Sequence, residues 1–543
     1  MTVPMSPPHG MVATTQRSAT DAGLEMLQAG GTAADAVVAA AAALAVTEPM
    51  MTGLGGDCFA LHYEGAPGRL TALNGSGRAP ARLTADLVRS RGVTEMASAG
   101  ALTVTVPGAC AGWCDLLARH GRLSIARVLE PAIRLAEDGF VVAPWAAVAW
   151  ANAPAVQRLL AAPGRGRSLL VDGKAPRQGD TFRNPPLARA LRTIAAGGRD
   201  AFYRGDIADA IVATVRGAGG VIEAADLTTH ASTWDEPIAT EYRGHRIWEC
   251  PPNGQGLVAL LALDILEGFD LRALDPLGPE RLHLLTEALR LAFADARAFL
   301  GDPRQTSVPV EALLSKEYAA TRRALIHPAR ALRDVPHGEP RGRSDTVYLC
   351  AVDAEGNACS FINSNFAWFG SGLVPGAGDA DPGWGFCLQN RGASFVLVPG
   401  HPDVVAPGKR PYHTIIPGMV TRADGSLYGP FGVMGGFMQP QGHVQVITAL
   451  LDDGATPQAA LDRPRLCVQA RPPASVWPER GSAVDLHLEH GIAPAAVTAL
   501  EAMGHRVLGD VAGGERLLFG RGQVIRRAPD GSLEGGSDPR GDG

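Results

Sequence analysis

Between Ile326 and Ser344 the chain loses all apolar periodicity, and from Thr346 onward it reads as strand. The segment collects Pro, Gly and Arg residues, as an exposed connection does. It feeds Thr346–Val352, a run of apolar and β-branched residues, then a turn at Asp353-Ala354-Glu355-Gly356-Asn357 and a return strand from Ala358 to Asn363. Similar turns at Asp424-Gly425 and Asp530-Gly531 make the last third strand-rich, with helices expected over Pro440–Leu451 and Pro494–Met503. The part before the break reads differently. Residues 11–47 read as helical, with Gly30-Gly31 ending one helix and Thr32 capping an Ala-rich second one. A Gly-rich turn, Gly53-Leu54-Gly55-Gly56, enters a strand, and a helix is expected over Ala109–His120. From about Ser124 to Leu325 the pattern is mostly helical, and Pro251-Pro252-Asn253-Gly254-Gln255-Gly256 is a loop before another helix. Antiparallel sheets covered by helices, an α+β body, account for both halves.

Composition removes several function classes. With 46% hydrophobic residues, 19% charged residues and a net charge of −6, nothing points to nucleic acid or to an anionic membrane. The N-terminus lacks a basic start and an apolar core, so no secretory leader is read and a cytoplasmic location is expected. The apolar run Ala33–Val46 is too short to span a bilayer and reads as a buried helix. The 8 cysteines form no CxxC pair and are expected to be reduced and mostly buried. No metal spacing, phosphate loop or dinucleotide fingerprint is present, so neither metal nor cofactor is expected.

The break also carries chemistry. Cleavage between Asp345 and Thr346 would free an α-amine on Thr346, and that amine can serve as base for the threonine's own hydroxyl. An amide hydrolase also needs donors aimed at the tetrahedral oxyanion. Gly435 and Gly436, paired before a helix, can offer free backbone N–H groups. His413 is a candidate base, His443 reads as structural, and Asp57 as a turn-stabilising residue.

These residues assemble into a resemblance that covers nearly the whole chain. The sequence resembles the γ-glutamyltranspeptidase family of N-terminal-nucleophile hydrolases at Ala13-Thr14-Thr15-Gln16-Arg17-Ser18, at Gly30-Gly31-Thr32-Ala33-Ala34-Asp35-Ala36-Val37 and at Gly53-Leu54-Gly55-Gly56. It continues through Val106-Pro107-Gly108, the run Pro131–Phe140, Phe202-Tyr203-Arg204-Gly205, Asp345-Thr346, the run Val352–Asn357 and Gly370-Ser371-Gly372. Gly408-Lys409-Arg410-Pro411, Gly435-Gly436 and Gly535-Gly536-Ser537-Asp538-Pro539-Arg540 complete the series. The resemblance implies a four-layer αββα sandwich. It also implies autocleavage into a large chain, 1–345, and a small chain, 346–543, which stay together as a heterodimer and allow a dimer of heterodimers. By the same resemblance Thr346 is the nucleophile, Ser364 helps position its amine, Gly435 and Gly436 supply the oxyanion amides, and Thr414 is one of two hydroxyls that hold a substrate carboxylate.

Departures from the family pattern bear on substrate. In Leu388-Gln389-Asn390-Arg391-Gly392-Ala393-Ser394, Ser394 aligns with the acid that binds the α-amine of γ-glutamyl substrates, and Arg391 with a glutamine. A cation has appeared and an anion has gone, which disfavours an ammonium group. Ser76 stands at the carboxylate-binding arginine's position, with Arg78 two residues on, Phe366 replaces an asparagine, and His413 replaces the first of the paired hydroxyls. These changes resemble the cytoplasmic branch that includes oxamate amidohydrolase. They imply a small carboxylated amide as substrate, with Arg78, Arg391 and Arg410 as candidates for its carboxylate. A γ-glutamyl hydrolase or transpeptidase, and an unprocessed binding protein, are the alternatives.

Overall fold

The computed structural model describes residues 9–333, 335, 345–376, 381–470 and 484–543. Two six-stranded sheets, antiparallel throughout, form its centre. The first runs in the order Gly10–Ala13, Asp345–Asp353, Ala358–Phe366, Asp57–Glu64, Arg69–Gly75, Thr233–Asp235. The second runs Leu533–Ser537, Arg521–Arg527, Leu427–Met434, Gly418–Arg422, His245–Glu249, Ile238–Tyr242. Each sheet therefore takes strands from both sides of the Asp345-Thr346 bond.

Strands Leu427–Met434 and Arg521–Arg527 pack against Asp345–Asp353, so the sheets face each other. The approach is close at Gly432, where an added Cβ would lie 2.5 Å from the Tyr348 ring. Helix Ala33–Thr47 lies on strands Asp345–Asp353 and Ala358–Phe366, and its 15 residues are all buried. Its many alanines let neighbouring helices and strands come near on every side. Thr32 caps it as the sequence predicts, its side chain accepting from the Asp35 amide. Helices Gly256–Glu267 and Met438–Leu451 pack on the second sheet.

The three hairpin turns expected at 353–357, 424–425 and 530–531 all join adjacent antiparallel strands. At the first of them, Asp353 Oδ1 accepts from the amides of Glu355 and Asn357 at 3.0 Å each. Its Oδ2 accepts from the Ala33 amide, 3.0 Å away at the N-terminus of the buried helix. One carboxylate thus ties the turn to the helix. All eight cysteines are free, and only Cys114 is less than buried.

The structure corrects two expectations. Residues 11–47 are not helical throughout, because Gly10–Ala13 is an edge strand paired with Asp345–Asp353. Besides a short separate pair of strands, Phe140–Val141 and Thr181–Phe182, the stretch from Ser124 to Leu325 also gives the two large sheets three strands, Thr233–Asp235, Ile238–Tyr242 and His245–Glu249. They lie at or next to sheet edges, where half-buried positions hide the alternation that marks a strand. Arg243 and Gly244, with φ of 51° and 75°, form the tight turn between the last two, a conformation that arginine seldom signals. Helix Met438–Leu451 begins two residues before the expected start. Of the expected connection, residues 334 and 336–344 lie outside the described residues.

Candidate active site

Thr346 is the second residue of its strand. Val347 pairs with Asn363 and Asp345 with Phe366, so one residue on this strand faces two, Ser364 and Asn365, on its neighbour. This is a β-bulge, the device that re-aims a side chain at the end of a ladder. Ser364 Oγ accepts from the Phe366 amide at 2.9 Å. Phe366 itself sits at φ 76°, a strained position for a bulky residue.

The Phe366 ring underlies Arg391, whose guanidinium carbon is 4.2 Å from the ring centroid. Arg391 is fully buried. Its Nη1 donates to Thr414 Oγ1 at 2.8 Å and its Nη2 to Ser364 Oγ at 3.4 Å, while its Nε has no hydrogen-bond partner among the described residues. Among those residues, no carboxylate pairs with it directly. Burial pulls its pKa down to about 9, partly opposed by the charge of Asp57. Ser394 closes the same short helical turn, Arg391–Ser394, and its buried Oγ has no partner among the described residues.

Gly435 and Gly436 follow the strand Leu427–Met434 and precede the helix Met438–Leu451. Their φ values of 129° and 63° suit glycine. Among the described residues, neither of their amides donates a hydrogen bond. They are therefore free donors at a helix N-terminus, the arrangement an oxyanion requires.

Two sequence candidates for substrate contact are committed elsewhere. Arg78 reaches Asp302 at 3.5 Å and the Gly408 carbonyl at 3.2 Å. Arg410 donates to the carbonyls of Ser76 and Asn74 and to Thr233 Oγ1, so it clamps backbone. His413, too, has partners within the protein. Its Nδ1 accepts from the Ile415 amide at 3.3 Å, which leaves Nε2–H to donate to Asp57 Oδ2 at 3.2 Å. Both nitrogens are thus occupied within the protein, and burial and Arg391 hold its pKa well below the usual value. His443, on helix Met438–Leu451, is bonded to Glu249 at 2.7 Å.

Asp57 does more than hold a turn. Its Oδ1 accepts from the amides of Gly77 and Gly108 at 2.9 and 3.1 Å, and it lies within the field of Arg391. Burial nonetheless raises its pKa to about 6. The folded state thus holds this proton more tightly than the unfolded chain, whose value is near 3.8. Its contribution to stability is full below about pH 4 and is lost as pH rises through about 6. Thermal melts of Asp57→Asn should therefore gain on the parent between pH 4 and pH 7, by on the order of 2 kcal/mol in total. A difference that does not vary with pH removes this assignment.

Sequence reasoning passed over Gln255 and Asn253, which the loop Pro251–Gly256 presents to the site. Gln255 Nε2 donates to the carbonyls of Thr414 and Gly436, each at 2.8 Å. It also missed a buried group on the far side of the second sheet, in which ligand atoms of His283, Glu287 and His505 lie within 4.8 Å of one another. His283 and Glu287, four apart on helix Pro279–Phe299, were the available signal. His283 bonds His505 and the His327 carbonyl, at 2.8 Å each, while Glu287 accepts from Arg290 and from the Leu332 amide. Among the described residues, no helix is long and apolar enough to cross a membrane.

The sequence matches the γ-glutamyltranspeptidase family over residues 19–543. It is 37% identical over 533 residues to a glutathione hydrolase-like YwrD proenzyme of Bacillus subtilis, covering 98% of this chain and 97% of that protein. It is also 37% identical over 543 residues to an oxamate amidohydrolase proenzyme of Klebsiella pneumoniae, covering 98% of each. The cephalosporin acylase of Bacillus halodurans superposes with a TM-score of 0.88 at 42% identity, covering 100% of this chain and 96% of that one. The chain belongs to the γ-glutamyltranspeptidase family, and it is an enzyme, a hydrolase of the N-terminal-nucleophile type.

Proposed function

We propose that this chain is the proenzyme of an amidohydrolase that acts on small carboxylated amides such as oxamate. The burial of Arg391 between Ser364, Thr414 and Phe366, with no carboxylate of its own among the described residues, carries the reading. A buried cation without an anion is costly, and a substrate carboxylate meets that need. In the precursor, the Thr346 hydroxyl attacks the Asp345 carbonyl carbon. The peptide C–N bond breaks, an ester forms, and water hydrolyses it to leave the Asp345 carboxylate and a free Thr346 amine.

In turnover that amine takes the hydroxyl proton as Oγ adds to the substrate carbonyl. The Gly435 and Gly436 amides stabilise the oxyanion, and the proton passes to the leaving amine. The resulting acyl-threonine is resolved by water. Arg391 and Thr414 hold the substrate's carboxylate. The large chain is 1–345 and the small chain 346–543. Their strands interleave in both sheets, which supports a lasting heterodimer in an αββα stack.

Intact-mass spectra before and after brief exposure to oxamate, glutaryl and γ-glutamyl amides test this reading. Two chains separated at Asp345-Thr346, with acyl mass from the carboxylated amides on the small chain, are expected. A single unbroken chain without adduct overturns the proposal, and a γ-glutamyl adduct alone overturns the substrate class.

A further inference from the structure

We infer that Gln255 is a positioning residue that sets the oxyanion turn against the carboxylate-binding loop, an inference that rests on the proposed threonine mechanism. Gln255 is fully buried and every polar group of it is used. Its two side-chain N–H bonds go to the carbonyls of Thr414 and Gly436, at 2.8 Å each. Its Oε1 accepts from the Tyr412 hydroxyl at 3.1 Å, and its backbone amide donates to the His413 carbonyl at 2.9 Å. Asn253 extends the clamp, with its carbonyl accepting from the His413 amide at 2.9 Å and its Nδ2 donating to the Pro411 carbonyl at 2.6 Å.

The geometry matters because of what each carbonyl belongs to. Gly436 has φ 63° and no Cβ, so its own backbone has little steric reason to keep one ψ. Fixing its carbonyl fixes that angle and the direction of the turn carrying the two free amides. The same side chain holds the Thr414 backbone, whose Oγ1 meets Arg391. One amide group therefore couples the two places where substrate charge is met. All the partners lie after residue 346 and Gln255 lies before it, so cleavage would turn these bonds into contacts between chains.

Processed Gln255→Leu tests this on three readouts: steady-state turnover of oxamate, affinity for a boronic acid that adds to the threonine hydroxyl as a tetrahedral mimic, and competitive inhibition by oxalate. Misplaced oxyanion amides should lower kcat and boronate affinity together by about 100-fold, with oxalate inhibition weakened less than tenfold. Equal, small losses in all three overturn the inference and leave Gln255 a packing residue. If the leucine variant fails to fold, Gln255→Glu keeps the shape but replaces both donors with acceptors. It should show the same loss at pH 8 and partial recovery toward pH 5 as the carboxyl protonates, and neither loss nor recovery overturns the inference. A parent enzyme that forms no boronate adduct sinks the threonine mechanism itself, whereas a normal parent with an unaffected variant sinks only the role of Gln255.

Discussion

Thr346→Ala is expected to yield one uncut chain of 543 residues with no measurable turnover. A single oxygen serves both events, first as nucleophile toward the Asp345 carbonyl and then toward substrate. Its loss should lower turnover by on the order of 10⁴-fold or more, because binding and oxyanion stabilisation alone retain only a small share of catalysis. The fold should tolerate the change, since alanine for threonine at a strand start costs about 1 kcal/mol or less. Gel analysis after expression reads the cleavage, and melting reads the fold. To separate the two roles, residues 1–345 and 346–543 carrying Thr346→Ala can be co-expressed as two chains. The interleaved sheets should assemble them, and the assembled protein should still be inactive. Cleavage or turnover surviving in either form would remove Thr346 from the mechanism.

The strand that holds Thr346 was legible in the sequence because its surroundings are local: a segment without periodicity, then a β-branched run, then a turn at 353–357. Thr32 as a cap and helix Ala109–His120 were legible for the same reason. The short strands between Thr233 and Glu249 were not, since a half-buried edge strand need not alternate. Tertiary partners explain the rest. Arg78, Arg391 and Arg410 look alike in sequence, yet one pairs with Asp302, one is left over a phenyl ring, and one clamps carbonyls. His413 and Asp57, 356 residues apart, occupy each other's polar atoms. The tail motif ending at Arg540 holds a buried ionic network with Asp538, Arg465 and Glu489, the last two lying far from it in sequence. Gln255 sat in a string already read as a loop, and only its hydrogen bonds give it a role.

Arg391→Gln should lower kcat/KM for oxamate by about 10²- to 10³-fold, because the substrate carboxylate would enter a desolvated site without its cation. Glutamine retains donors for Ser364 and Thr414, so the change isolates charge from hydrogen bonding. Burial lowers the Arg391 pKa, yet a guanidinium keeps its charge across the working pH range, so the cation is available to the substrate throughout. The converse change supplies the missing anion. Ser394→Asp in the Arg391→Gln background removes a repulsive charge and adds an attractive one for an α-ammonium group, so γ-glutamyl hydrolysis should rise by at least about tenfold over the parent. If oxamate turnover survives Arg391→Gln, the carboxylate is held elsewhere. If the double variant also gains nothing on γ-glutamyl amides, the polarity of this turn does not set the substrate, and the choice between the acyl groups must lie in another wall of the pocket.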